Sequence, residues 1–84
     1  MSHTPYGYRI INGKAVIDEQ AAEQVKNLFQ SYLTGDSLAT AAKKADINAF
    51  HAGISRMLQN KRYLGDEYYP ALIDSDTFAA AESE

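Results

Sequence analysis

The sequence has no cysteine, so disulfides, thiolate zinc sites and cysteine nucleophiles are excluded, and the chain suits a reducing compartment. It has no apolar run long enough to cross a bilayer and no signal-peptide core near its start. A cytoplasmic location is expected, with no membrane partner. Histidine is scarce: His3 lies in a polar tail, and His51 has no second ligand at metal spacing, so no metal site is expected. Glycine-rich phosphate loops, Ser-His-Asp arrangements and acids paired in an apolar setting are all missing. No catalytic residue, cofactor or small-molecule substrate is therefore expected. Linkers, low-complexity tracts and internal repeats are absent too.

What is present suits one small domain. The 84 residues are 45% hydrophobic and 23% charged, the balance of an ordinary globular protein near the lower size limit for independent folding. The organising stretch runs from Asp18 to Gly35. Ala21, Ala22, Val25, Leu28, Phe29, Tyr32 and Leu33 recur at helical spacing and fill one arc of roughly 140° at about 100° per residue. Asp18 suits the N-cap, Glu19 complements the helix dipole and Gly35 suits the stop, which predicts a helix over Glu19–Thr34.

Upstream, Tyr8–Ile11 and Lys14–Ile17 flank Asn12-Gly13, the dipeptide suited to a type I′ turn because both central residues need positive φ. A hairpin follows, with Ile17 placed to staple onto Ala22. Two strands alone are marginal in water, so the hairpin needs a helix or another strand beside it. Downstream, Asp36 or Ser37 caps a short helix over Leu38–Ala45, and Asp46–Asn48 is a turn in which Asn48 or a neighbour can cap a third helix over about Ala49–Gln59. That helix puts Phe50, Ile54, Met57 and Leu58 on one face and Ala52, Ser55, Arg56 and Gln59 on the other. Arg62–Tyr69 reads as extended and can add a third strand, and Asp74 or Ser75 opens a last helix through Ala81. The expected fold is a small, mostly helical α+β domain of about four helices with an N-terminal hairpin. Residues 1–4 are expected to be a disordered tail, and 5–84 the domain.

The net charge is −3, but it is unevenly spread. Leu38–Tyr63 holds five cations (Lys43, Lys44, Arg56, Lys61, Arg62) against Asp46, a net +4, while the remainder holds three cations against ten acids, a net −7. A basic island can serve as an electrostatic footprint for nucleic acid, and equally can be ordinary solvated charge. The two short helices around Asp46 form a helix-turn-helix-like pair, whose second member can enter a major groove. On that reading Ser55, Arg56 and Gln59 reach base edges and Lys43, Lys44, Lys61 and Arg62 contact phosphates. Helix pairs are common in all-α proteins, so the pattern alone is weak. The six tyrosines suit core and rim packing better than base stacking or nucleophilic catalysis.

Four segments in order carry a family resemblance. They are P-Y-G-Y with a hairpin ending V-I-D at Val16–Asp18, A-x-x-V-x-x-L-F-x-x-Y-x-x-G-x-S-L over Ala22–Leu38, I-x-x-M-L-x-N-x-x-Y-L-G over Ile54–Gly65, and P-A-L-I-D-x-x-x-F over Pro70–Phe78. Together they resemble the recombinase domain of the large serine recombinases, the phage integrase and transposon resolvase branch. The resemblance implies a domain that binds attachment-site DNA beside the crossover point, between a catalytic domain bearing the serine nucleophile and a cysteine-liganded zinc ribbon. This sequence holds neither neighbour, so the implication is binding to duplex DNA and not strand exchange. The rival is a protein-interaction or self-associating module of a mobile-element protein that has lost DNA binding.

Overall fold

The computed structural model describes residues 5–47 and 51–83, without the side chain of His51. The expected tail at 1–4, the cap at Asn48 and the first helical residues Ala49 and Phe50 lie outside the described residues. The order of elements is β1 (Tyr8–Ile11), β2 (Lys14–Ile17), α1 (Glu19–Leu33), α2 (Leu38–Lys44), α3 (His51–Leu58), a 3₁₀ turn (Lys61–Leu64) and α4 (Ser75–Ser83). This is the expected mostly helical α+β domain.

The hairpin pairs Tyr8 with Ile17 and Ile11 with Lys14, and its turn places Asn12 at φ 53° and Gly13 at φ 77°, both in the left-handed region that a type I′ turn requires. Asp18 N–H donates to the Gly7 carbonyl at 2.9 Å, carrying the pairing one step past the strands before its side chain caps α1 by accepting from Ala21 N–H. Ser37, not Asp36, caps α2 through the Thr40 N–H, and Asp74 caps α4 through the Thr77 N–H.

α1 is the central element: α2 and α4 pack on it, and α3 packs on α2 and α4. Val25, Leu28, Phe29, Ile54 and Tyr63 are fully buried, with Leu58 and Phe78 in the same core. Tyr32 packs against that core from a half-buried position. The Phe29 ring lies 6.1 Å from Phe78 and meets Tyr63 edge-on at 6.2 Å, so helices from both ends of the chain share one aromatic cluster. Gln24 Nε2 donates to the Asp46 carbonyl at 2.9 Å, tying the turn after α2 back to α1.

One expectation fails. Arg62–Tyr69 is not a strand, and among the described residues the sheet has two strands only. Asn60 Oδ1 accepts from Arg62 N–H at 3.0 Å and winds Lys61–Leu64 into a 3₁₀ turn. The Tyr63 carbonyl then accepts from both Leu72 and Ile73 N–H, each at 2.9 Å, which folds the segment back on itself instead of against the hairpin. Contact with the hairpin is made by side chains: Tyr8 Oη donates to the Arg62 and Pro70 carbonyls, and Tyr68 Oη to that of Gly13.

Candidate nucleic-acid interface

The sequence-predicted residues come to the surface on three consecutive elements. Lys43 and Lys44 form the last turn of α2, an end where cations complement the helix dipole. Lys43 is exposed and makes no ion pair among the described residues. The Lys44 ammonium lies 2.8 Å from Asp36 Oδ2 while its side chain stays 60% exposed, so part of its charge is already answered inside the chain.

On α3, Arg56 is exposed and Ser55 is half-buried. Gln59 lies just beyond the helix, which ends at Leu58, one residue earlier than expected. Its Nε2 donates to Ser55 Oγ at 3.3 Å, which holds the two side chains together and leaves the Ser55 O–H and the Gln59 Oε1 available. Ser55, Gln59 and Lys61 line one groove with Tyr32, Leu38 and Glu82, with a volume of about 300 Å³. The groove therefore brings three of the expected contact residues together, but with an acid at its rim.

Arg62 is the most structured of the set. Its N–H is held by Asn60, its carbonyl accepts from Tyr8 Oη at 3.1 Å and from Gly65 N–H at 3.0 Å, and its guanidinium lies over the Tyr69 ring, 5.8 Å from the centroid. Asp66 Oδ1 accepts from Tyr69 N–H at 2.7 Å and Tyr68 N–H at 2.8 Å. Those two bonds, with help from the Arg62 charge, hold the Asp66 carboxyl below its usual range. Tyr69 and Asp66 are not among the sequence-predicted contact residues. The available signal was a turn-forming Gly65-Asp66 that returns an aromatic residue toward Arg62.

These side chains can do electrostatic and hydrogen-bonding work. Among the described residues no group of three or more histidine, cysteine or acidic side chains could hold a metal, and no helix is long and apolar enough to cross a membrane. The raised tyrosines are buried donors: Tyr8 is pushed up to about 12, and Tyr63 also upward, in both cases chiefly by burial.

Comparison with solved structures gives one described as "Crystal Structure of a LSR-DNA Complex", LSR standing for large serine recombinase. It matches with a TM-score of 0.81 at 18% identity over 99% of this chain, a likeness of fold. The chain spans 32% of that protein's length. Curated proteins gave no match. The family profile described as Recombinase matches residues 19–84, from the first residue of α1 onward and including every candidate contact residue. With that match over most of its length, and with the segments that carried the resemblance now seen to build α1, the 3₁₀ turn and the cap of α4, the chain belongs to the Recombinase family.

Proposed function

We propose that this chain is a non-catalytic DNA-binding module that contacts attachment-site duplex DNA. The observation that carries this reading is its likeness, over nearly its whole length, to a protein solved in complex with DNA. The exposed cations of α2, α3 and the 3₁₀ turn supply the chemistry. Lys43, Lys44, Lys61 and Arg62 neutralise phosphates, and Arg56 with Ser55 and Gln59 faces base edges. The seven net negative charges elsewhere in the chain make binding by this module alone weak. Strand exchange is assigned to other parts of a longer protein, and the module serves to place it on its site.

Titration of fluorescently labelled duplex at about 50 mM and about 200 mM salt tests this. With about three or four phosphates neutralised, log K falls against log salt with a slope near −3 to −4, each contact contributing about −0.9. Lys61→Ala weakens binding to all sequences and reduces the slope by about one unit, whereas Arg56→Ala relaxes sequence preference. No binding at the lower salt overturns the proposal and favours the protein-interaction reading. The exposed Ile10, Ile11 and Ile17 of the hairpin would then be the surface to examine. A covalent protein–DNA adduct through a serine or tyrosine of this chain would overturn the non-catalytic assignment.

A further inference from the structure

Among the described candidate contact residues, Arg62 is the one whose charged group lies over an aromatic ring, and its backbone is fixed as well. Its backbone is locked by the Asn60 side chain, the Tyr8 hydroxyl and the Gly65 N–H. Its guanidinium is carried on the face of Tyr69. That ring is itself held on several sides. Its N–H is bonded to Asp66 Oδ1, its carbonyl accepts from Asp66 N–H at 2.9 Å, and its ring packs against Tyr68 at 4.9 Å and Tyr8 at 5.1 Å. No polar partner of the Tyr69 hydroxyl is found among the described residues, so what the site uses is the aromatic face.

We infer that Tyr69 is a positioning residue: its ring holds the Arg62 guanidinium in the orientation from which it engages a DNA phosphate. The inference rests on the DNA-binding reading and deepens it. An exposed arginine free to rotate loses rotamer entropy when it grips a phosphate, whereas one already lying on a fixed ring loses less. The ring leaves the guanidinium edge, with its N–H groups, open to an anion while occupying one face. Asp66 sharpens the arrangement. Its carboxyl is held below the usual range chiefly by the N–H groups of Tyr69 and Tyr68, and the Arg62 charge adds a smaller attraction across the turn. Both of its backbone bonds, from Tyr68 and Tyr69 N–H, fall on Oδ1 and fix the turn that carries the ring.

Two readouts on the 84-residue chain test the inference. In the first, the Arg62 Nε–H resonance is followed by NMR in the absence of DNA. Ring current from Tyr69 displaces it from the free-arginine position, Tyr69→Phe keeps that displacement, and Tyr69→Leu abolishes it while the core amide signals stay dispersed. In the second, duplex DNA affinity is measured in a double-mutant cycle. Tyr69→Phe binds like the parent, and Tyr69→Leu binds about two- to fivefold more weakly, the factor expected from an exposed cation–π contact. In an Arg62→Ala background Tyr69→Leu has no further effect. A purely structural role for Tyr69 would weaken binding equally in both backgrounds, and that additivity would overturn the inference even though DNA binding stands. If the parent chain does not bind duplex at low salt, the DNA reading fails and the phosphate role of Arg62 fails with it. Should the Leu variant fail to fold, an undisplaced Nε–H resonance in the parent, or a Phe variant that binds like Arg62→Ala, overturns it.

Discussion

The hydroxyl of Tyr63 donates to the carbonyl of Tyr6 at 2.7 Å, joining the 3₁₀ turn after α3 to the residue pair that opens the hairpin. The Tyr63 side chain is fully buried while Tyr6 lies at the surface, so the bond anchors an exposed residue to the core. Tyr63→Phe keeps the ring contacts with Phe29 and Tyr8 and removes only the donor. The expected cost is about 1 kcal/mol for the bond, rising toward about 3 kcal/mol if the Tyr6 carbonyl stays unsatisfied. Urea denaturation of the two proteins measures it. An unchanged midpoint would mean that the bond contributes nothing net.

Alkaline pH should undo the same region. Tyr8 donates through one hydroxyl to two carbonyls, those of Arg62 and Pro70, and a phenolate there could donate to neither. Burial, then the Asp66 charge and then Tyr69, push its pKa from 10.0 up to about 12. A raised pKa means that the folded state keeps the proton after the unfolded chain has released it. The stabilisation is complete below about pH 10, the unfolded value, and drains away as pH climbs toward about 12. Tyr63, raised for the same chief reason, acts in the same direction. Urea midpoints taken from about pH 9 to about pH 11 should fall, and the fall should be shallower in Tyr8→Phe. A flat profile would show that neither hydroxyl is protected by the fold.

The elements legible in the sequence were those whose signals are local. Asp18, the spacing of Val25, Leu28 and Phe29, and Asn12-Gly13 fix α1 and the hairpin with short-range chemistry. The segment after Asn60 was misjudged because its decision is not local. Lys61–Leu64 has strand-compatible residues, but the Asn60 side chain, the burial of Tyr63 and the later Leu72 and Ile73 N–H groups turn it into a 3₁₀ corner. The candidate site was legible as a list of cations and not as geometry. Charge along the chain does not reveal that Lys44 is paired with Asp36, that Gln59 is bonded to Ser55, or that Tyr69 returns beneath Arg62.

Gly65 and Gly13 should respond differently to alanine. Both have positive φ, at 91° and 77°, so a Cβ strains either backbone by at least about 1 kcal/mol, and more at Gly65, whose ψ of 144° lies in a region that only glycine adopts readily. At Gly13 a Cβ meets nothing within 4 Å, so the strain is the whole cost. At Gly65 it would sit 3.0 Å from the Ala71 backbone nitrogen and Cα, which cannot move without disturbing the Leu72 and Ile73 bonds to Tyr63. Gly65→Ala should therefore lower the thermal midpoint well beyond Gly13→Ala. Equal losses would show that the 65–71 turn is loose enough to absorb a methyl group.

The Lys44–Asp36 pair gives the sharpest electrostatic prediction. The ammonium is largely exposed, so the pair contributes at most about 1 kcal/mol to folding, and Asp36→Asn should leave stability nearly unchanged because Ser37 still caps α2. DNA binding should change more. In the parent, a phosphate that recruits Lys44 must compete with a carboxylate 2.8 Å from the ammonium, so Lys44→Ala should alter the salt slope by less than the full unit expected of Lys61→Ala. In the Asp36→Asn background the ammonium is released and one negative charge is gone. Affinity at about 50 mM salt should then rise, the slope should steepen, and Lys44→Ala should recover the full weight of about one phosphate contact. If Lys44→Ala has the same effect in both backgrounds, Asp36 does not restrain this cation and the α2 end meets DNA, if at all, through Lys43.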